Sequence, residues 1–459
     1  MIAYHECLVA LLIAASLGRM GATTKIVPVT DIAARVQQGA PIRIGIAERA
    51  QAVKLTPAGR ATAALLDAEG GVSFRPVGDG DSLAAHVDGD AVVVEISGLP
   101  TRCSRVTLQA GPQPTRAQSW GEKTRSGAYS GDLEIVPDHS GGLTLINLLP
   151  LETYIEGVLP AEVPTSFHPQ ALKAQAIIAR TYALFTLGKH SDQGFDLCDQ
   201  MHCQQYRGAV DIPKVRAAVA ATAGQVLAYR GCLVETVYHT VCGGFVDDPY
   251  RVWKWYLVPY LRAAADRPPG DGAAPTADAT EEAVALMLAH GSADYCARSS
   301  LHRWKRSYSI AEAQHLLDVN LGRLLDFEGS PGRLVDMKTA GRSPGGRAQA
   351  LIITTDCGEY EIKRDKMRWV LGDGKPGPNG LPSTLFRLTV QRDPAGNIAK
   401  LIFDGAGWGH GLGLCQYGAD GRARAGATAA EILQAYYPGS EVVDLAQAQG
   451  VPKAAQGNM

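Results

Sequence analysis

The chain is 459 residues long, with 46% apolar and 20% charged residues and a formal net charge of −2. This composition excludes a collagen-like, coiled-coil or wholly disordered protein, and the near-neutral charge argues against nucleic acid as the main ligand. The 51 glycines and 26 prolines predict many turns. We therefore expect a mixed α+β protein with more than one structural unit.

The N-terminus has some features of a secretory signal. Residues 7–17 form an apolar run, which is far shorter than the roughly 20 residues of a membrane-spanning helix. Small residues follow at 21–23, but residues 1–6 contain no Lys or Arg. The pattern favours export, and a buried N-terminal helix or a wrongly chosen start codon is the alternative.

Short β-type runs recur after the N-terminus. The segments 42–46 and 91–96 are examples, and turn-rich segments separate them. Helices are predicted over 151–159 and from Pro169 to Gly188, since proline suits a first helical turn and glycine suits the cap at the end. Further β-type runs lie between residues 333 and 403, and a last helix is predicted over 428–436.

Glu162 is the carboxylate with the most unusual surroundings. It is expected just after the first predicted helix, between Pro160 and Pro164, which stiffen the backbone on both sides. Partial loss of water near Val163 and Phe167 would disfavour its ionised form, as a general acid near neutral pH requires. From composition alone, a carboxylate without a catalytic part is the alternative.

A glycine-rich segment spans residues 405–418. Six glycines alternate there with large side chains, without the lysine of a phosphate-binding loop or the spacing of a dinucleotide fingerprint. Glycine permits close approach, so Trp408, His410, Gln416 and Tyr417 are candidates for display in a cleft. Aromatic, imidazole and amide groups together suit a carbohydrate ligand.

Two cysteines and two histidines lie within residues 190–203. His190, Cys198, His202 and Cys203 have the ligand types of a closed tetrahedral zinc site. A disulfide with two surface histidines is the alternative, and the sequence leaves both open. Nine cysteines in the whole chain are too few for a disulfide scaffold.

Four segments in chain order resemble the motifs of the SpoIID/LytB family, the stage II sporulation protein D and amidase-enhancer group. They are LPLETYIEGVLPAEVPTSFHPQALKAQAIIARTYAL (149–184), DLCDQMHCQQYRG (196–208), YHTVCGGFVDD (238–248) and GAGWGHGLGLCQYGADGRA (405–423). The resemblance covers 147–440 well and 42–146 loosely. It implies a protein that acts on bacterial peptidoglycan outside the cytoplasm, in the periplasm or cell wall.

The resemblance assigns the residues of a lytic transglycosylase. Glu162 matches the family's catalytic glutamate in its A-E-[MV]-P motif and would exchange protons with the bond between N-acetylmuramic acid and N-acetylglucosamine. Cys415 stands where the family usually has serine. The residues that match the family's other cleft motifs, and would bind substrate, are Arg180, Tyr182, His410, Gln416 and Tyr417.

Some family members carry zinc at the second of these motifs. The resemblance therefore implies Cys198, His202 and Cys203 as ligands of a structural zinc ion, with His190 as the fourth ligand and His239 or Cys242 as alternatives to it. No catalytic cofactor is implied. The expected partners are peptidoglycan glycan strands and an N-acetylmuramoyl-L-alanine amidase, and nucleic acid is not among them.

The expected fold is α+β, with mixed helices and antiparallel β-rich subdomains around a central cleft. The alternative function is a non-catalytic module that binds peptidoglycan and activates an amidase, and a thiol hydrolase built on Cys242 and His239 is a third possibility. The predicted divisions are a signal peptide over 1–24, a β-rich region over 25–146, a catalytic domain over 147–440 with an insertion at 264–303, and a flexible tail over 441–459.

Overall fold

The computed structural model describes residues 25–138, 140–253, 258–268, 278–375 and 377–448. The predicted signal peptide and part of the predicted insertion lie outside the described residues. The described chain forms two compact units. The N-terminal unit comprises 27–235 and 442–448, and the C-terminal unit comprises 25–26 and 236–441, each within the described ranges.

One large sheet dominates the N-terminal unit. Along each strand every second side chain faces the same side, so the alternating burial of Ala61–Leu66 indicates one covered face. The strands of this sheet are β1 (Ile42–Pro57), β2 (Ala61–Leu66), β3 (Val72–Val77), β4 (Leu83–Asp88), β5 (Ala91–Ile96), β6 (Leu99–Cys103), β7 (Arg105–Gln109), β8 (Thr115–Gly121), β9 (Arg125–Tyr129), β10 (Asp132–Pro137), β11 (Leu143–Leu149) and β12 (Leu197–Cys198).

The long strand β1 organises this sheet. It pairs antiparallel with β11 from Ile42↔Leu149 to Ala50↔Leu143, and β11 is buried at almost every position, as its apolar sequence requires. On its other part β1 pairs with β4 and β8. β12 joins β1 in parallel through Ile44↔Leu197, which fixes the position of Cys198 beside the sheet.

Four α-helices complete the first unit within the described residues, beside one 3₁₀-helix at Ser191–Gln193. The α-helices are α1 (Val29–Gln37), α2 (Leu151–Glu162), α3 (Pro169–Phe185) and α4 (Pro213–Ala220), and β13 (Gln225–Tyr229) pairs with β14 (Cys232–Leu233). α2 runs three residues further than predicted because Pro160 removes only its own hydrogen bond, and the N–H of Val163 still donates to the carbonyl of Leu159 at 2.9 Å. Glu162 therefore lies in the last turn of the helix and not after it.

The C-terminal unit contains two antiparallel three-stranded sheets over a shared apolar core. Its described helices are α5 (Pro249–Trp253), α6 (Glu281–Ala289), α7 (Ile310–Leu325), α8 (Lys366–Val370), α9 (Gln416–Arg424) and α10 (Ala429–Tyr436). Its described strands are β15 (Tyr238–His239), β16 (Phe245–Val246), β17 (Ala264–Ala265), β18 (Arg303–Ser309), β19 (Leu334–Arg342), β20 (Ala348–Thr355), β21 (Gly358–Lys363), β22 (Phe386–Arg392), β23 (Ile398–Ala406) and β24 (Leu414–Cys415).

A short parallel pair joins two of the sequence motifs in the C-terminal unit. β15 pairs with β24 through Tyr238↔Leu414 and His239↔Cys415. After this unit, β25 (Glu441–Asp444) adds to β13, so the start of the predicted tail forms a strand. The helices and antiparallel strands confirm the predicted α+β class. In the described part of the chain, none of the helices combines the length and the hydropathy that a membrane span needs.

Candidate functional site

The carboxylate of Glu162 is half-buried at the end of α2. The backbone N–H of Gln205 donates to its Oε1 at 2.7 Å. Gln205 follows Cys203 by two residues, so this hydrogen bond ties the end of α2 to the segment with the cysteine and histidine ligands. A charge-assisted bond of this kind is stronger than a neutral one and holds the carboxylate in one orientation.

Tyr182 lies near Glu162 in the same unit. Burial raises the pKa of Tyr182, and the nearby carboxylates of Glu235 and Glu162 raise it further. Its hydroxyl therefore stays protonated at neutral pH. The structure thus brings two of the predicted site residues together, a carboxylate and a phenol that can donate a hydrogen bond.

Arg180 faces the interior of the N-terminal unit. Its side chain is fully buried, and its Nε and Nη2 donate to the two oxygens of Glu152 at 2.9 and 2.5 Å. Nη1 donates to the carbonyl of Gln225 at 2.9 Å. The side chain of Glu152 is 36% exposed, and its carboxylate is turned toward the buried guanidinium. This ion pair joins the start of α2 to α3.

The four predicted metal ligands lie together. We call them the His190 group: His190, Cys198, His202 and Cys203. Cys203 Sγ lies 3.4 Å from His190 Nε2 and 3.9 Å from His202 Nδ1, and the four ligand atoms all lie within 4.8 Å of one another. A tetrahedral zinc ion separates a sulfur and a nitrogen ligand by about 3.6 Å and two sulfurs by about 3.8 Å. The residues therefore fit a zinc ion.

Neighbouring groups prepare the His190 group for a metal ion. Gln193 Oε1 lies 2.6 Å from His190 Nδ1, so Nδ1 carries the proton and Nε2 presents its lone pair toward Cys203. The hydrogen bond between the two cysteines lowers the pKa of Cys198 and raises that of Cys203, so Cys198 is the first of the two to become a thiolate. These features favour the metal site over the disulfide. Cys242, an alternative fourth ligand, belongs to a different group.

The glycine-rich segment packs against the 237–242 segment in the C-terminal unit. A Cβ at Gly413 would lie 2.0 Å from the carbonyl oxygen of Val237, and one at Gly407 would lie 2.5 Å from that of Val241. Both glycines also have positive φ, which other residues rarely adopt. These glycines therefore allow the two backbone segments to lie in close contact.

His410 holds two backbone segments of this unit together, and we call this role a brace. Its Nε2 lies 2.8 Å from the carbonyl oxygen of Tyr238, and its Nδ1 accepts from the N–H of Leu412 at 3.0 Å, which defines the neutral ring with the proton on Nε2. Burial lowers its pKa to about 4, against the opposing effect of Asp365. Both ring nitrogens are therefore engaged by the protein itself.

The remaining predicted residues of this segment begin α9. Gln416 is buried, and Tyr417 is half-buried with its N–H donating to the carbonyl of Thr240 at 3.1 Å. His410, Gln416 and Tyr417 belong to the C-terminal unit, whereas Glu162 and Tyr182 belong to the N-terminal unit. A shared cleft for these residues stays a prediction.

Two features of the candidate site escaped the sequence reasoning. The N–H of Gln205 and the side chain of Gln193 hold Glu162 and His190, respectively. The sequence gives no signal for a backbone donor such as the N–H of Gln205. A polar residue three positions after a candidate ligand, such as Gln193 after His190, is a weak signal for a supporting hydrogen bond.

The thiol of Cys242, the nucleophile of the third hypothesis, is fully buried, and its sulfur contacts Asp266 and Cys296.

Comparison with known proteins agrees with the motifs. Residues 139–229 match the SpoIID family, described as stage II sporulation protein. This segment of the chain is similar to the SpoIID family. This match contains Glu162, Tyr182, Arg180 and the whole His190 group. Residues 248–413 match a second family, described as a domain of unknown function, DUF8618.

The similarity to curated relatives extends beyond the segment that matches the SpoIID family. The amidase enhancer of Bacillus subtilis (strain 168) is 30% identical in an alignment of 308 positions, and the match covers 62% of this chain and 40% of the relative. Stage II sporulation protein D of the same organism is 25% identical in an alignment of 310 positions, and the match covers 64% of this chain and 74% of the relative. The match thus spans less than half of the amidase enhancer.

Proposed function

We propose that this protein is a peptidoglycan lytic transglycosylase that cleaves the bond between N-acetylmuramic acid and N-acetylglucosamine in glycan strands. The observation that supports it most is the half-buried Glu162, with Oε1 held by the N–H of Gln205 at 2.7 Å. The SpoIID match and the relatives named for sporulation and amidase enhancement give the cell-wall context. Such a substrate requires an extracytoplasmic location.

Glu162 acts first as an acid and then as a base. Protonated Glu162 gives its proton to the glycosidic oxygen while the bond from that oxygen to the muramyl C1 breaks. The resulting carboxylate accepts the proton of the muramyl C6 hydroxyl as this oxygen bonds to C1. The product is an anhydro ring, and no water is consumed. One carboxyl group in two successive roles needs no second carboxylate at a fixed distance, unlike most glycosidases.

The neighbours of Glu162 orient it during both steps. The N–H of Gln205 keeps Oε1 in place and stabilises the negative charge once the proton has left. The protonated hydroxyl of Tyr182 is a donor for the sugar, and Arg180 supports the site indirectly by joining α2 to α3. In this proposal Gln416, Tyr417 and His410 contribute to sugar binding from the C-terminal unit, with His410 acting through the loop that it braces.

The His190 group would hold a structural zinc ion. Four protein ligands leave no open position for water or substrate, so the ion would supply no Lewis acid to the reaction. It would instead fix the segment that leads from Cys203 to Gln205. No catalytic cofactor is needed for the proton transfers.

A non-catalytic function is the second candidate. It is favoured by one observation, the 30% identity to a protein named amidase enhancer. In that case the same residues would bind glycan strands and activate an N-acetylmuramoyl-L-alanine amidase, and Glu162 would exchange no proton. Nucleic acid has no place in either function.

The substitution Glu162→Gln tests the proposal. Glutamine still accepts the N–H of Gln205 but has no acidic proton. We expect release of anhydromuramyl products from amidase-treated glycan strands to fall about 10²- to 10⁴-fold, the usual contribution of a general acid–base group. Mass spectrometry of the released products measures this.

Glu156→Gln is the matched control, because Glu156 is half-buried on the same helix. It should retain the wild-type rate. Release at the wild-type rate by the Glu162→Gln protein would show that Glu162 is not the acid–base group of the reaction. If the wild-type protein releases nothing alone but stimulates a purified amidase, the enhancer function replaces it.

A further inference from the structure

A second group of metal-type ligands lies deep in the C-terminal unit. Its members are Cys242, which follows β15, Asp266, which follows β17, Cys296, and Cys415 at the end of β24. The three cysteines have 0% exposure and Asp266 has 1%. We call these residues the Cys242 group. Four separate segments of the chain contribute to it, so no motif spacing in the sequence predicts this group.

The ligand atoms have the distances of a coordination shell. Cys242 Sγ lies 3.2 Å from Asp266 Oδ2 and 3.5 Å from Cys296 Sγ, and the four ligand atoms all lie within 4.8 Å of one another. Two sulfurs on one tetrahedral zinc ion are separated by about 3.8 Å. Small movements of the side chains would therefore bring all four atoms to bonding distance of one ion.

Backbone N–H groups point at these sulfurs. Gly244 donates to Cys242 Sγ at 3.3 Å, while Cys242 and Gly418 donate to Cys415 Sγ at 3.1 and 3.2 Å. A neutral thiol is a weak acceptor, whereas a metal-bound thiolate is a strong one. Hydrogen bonds to the sulfurs are a usual feature of the shell around thiolate-bound metals.

Asp266 is also oriented by partners. Arg422 donates to its Oδ1 through Nε at 3.0 Å and forms an ion pair with it through Nη2 at 2.9 Å. The hydroxyl of Tyr436 lies 2.8 and 2.9 Å from the two carboxylate oxygens. These contacts turn Oδ2 toward the sulfur of Cys242. The positive charge of Arg422 compensates part of the negative charge that three thiolates and a carboxylate would bring to a divalent ion.

We propose that the Cys242 group is a second zinc site, separate from the His190 group. Three thiolates select a soft or borderline ion over magnesium or calcium, and four protein ligands make the site structural. Cys242 and Cys415 lie outside both matched family ranges. At the position of Cys415, the resemblance leads one to expect serine, so the resemblance does not predict this site.

The proposed ion would fix the glycine-rich segment. Cys415 is the residue before α9, which begins with Gln416 and Tyr417. Through Cys242 and Cys415 the ion would join the ends of β15 and β24, and through Asp266 and Cys296 it would attach them to two further loops. This inference does not depend on the function proposed for Glu162.

Zinc content of the purified full-length chain tests the proposal. We expect Cys415→Ser to lose one zinc ion per chain relative to the wild type, and Cys198→Ser to leave that ion in place. Cys357→Ser is the control, because Cys357 is exposed and belongs to neither group. Serine is the expected residue at position 415, so this variant should fold. An unchanged zinc content in Cys415→Ser would overturn the proposal.

Two further measurements keep the test decisive if a variant fails to fold. The Cys198→Ser protein reconstituted with cobalt(II) should show the intense thiolate-to-cobalt absorption of a tetrahedral site, and its absence would refute the Cys242 group. Alkylation of the unfolded wild type before and after reduction counts disulfides. A bond between Cys242 and Cys296 would overturn the proposal, since a disulfide needs sulfurs at about 2.05 Å and removes two ligands.

Discussion

The two groups of metal-type ligands differ in how the chain assembles them. The His190 group comes from a single segment, 190–203, and two of its members are partly or fully exposed. The Cys242 group comes from four segments and is buried throughout. The first lies next to the hydrogen bond on Glu162, whereas the second lies in a core. An ion in the His190 group would act on the segment that holds Glu162, whereas an ion in the Cys242 group would act on the glycine-rich segment of the C-terminal unit.

After the substitution of Glu162, the largest effect is expected for Cys198→Ser, which removes one ligand of the His190 group. We expect loss of the zinc ion of this group and an activity about 100-fold lower, because the segment that carries Gln205 would no longer be fixed on Glu162. Zinc analysis and product release measure the two effects. Cys357→Ser should change neither. Wild-type activity in the zinc-free variant would separate this group from Glu162.

The buried ion pair beside the site predicts an effect on stability. Glu152→Gln should lower the free energy of unfolding of the N-terminal unit by about 2 kcal/mol, because it leaves the charge of the buried Arg180 without its partner while two carbonyl contacts persist. Urea unfolding measures this.

The control for this prediction is Glu122→Gln. Glu122 pairs with Arg49, and the two side chains are 70% and 62% exposed. This substitution should change the free energy of unfolding by less than about 0.5 kcal/mol. An equal loss of free energy of unfolding in both variants would contradict the stabilising role of the ion pair between Arg180 and Glu152.

The smallest effect concerns pH and the C-terminal unit. His410 has a pKa of about 4 in the folded protein, below the ordinary value of about 6.5 in an unfolded chain. Between these values the unfolded chain binds more protons, so the free energy of unfolding falls as pH decreases from about 6.5 to about 4. His410→Gln should reduce this slope by at most about 1.4 kcal/mol per pH unit.

Urea unfolding at several pH values measures that slope. A smaller dependence should remain in the variant, since burial also lowers the pKa of His239. His315→Gln, on the exposed face of α7, is the control and should keep the wild-type slope. An unchanged slope in His410→Gln would show that the ring is not held in its neutral form by the fold.

The sequence could predict those features that residues close together in the chain form. The glycine and proline signals located α3 and α10 closely, and the β-type runs led to the α+β class. The His190 group was accessible because its ligands share one segment. The pairing of Arg180 with Glu152, the support of Glu162 by Gln205 and the Cys242 group all join distant residues, and no periodicity or spacing encodes such contacts. The sequence made His410 a candidate for display in a cleft, but residues distant in the chain bury its ring, and both ring nitrogens bond to the backbone.

The most direct test of the central claim is the mass of the products released from peptide-free glycan strands in water enriched in oxygen-18. If Glu162 passes a proton to the glycosidic oxygen and takes one from the C6 hydroxyl, the new muramyl ends are anhydro rings that contain no oxygen from the solvent. We predict anhydromuramyl ends without the heavy isotope. Reducing ends that carry oxygen-18 would show hydrolysis by water and would contradict the proposed mechanism.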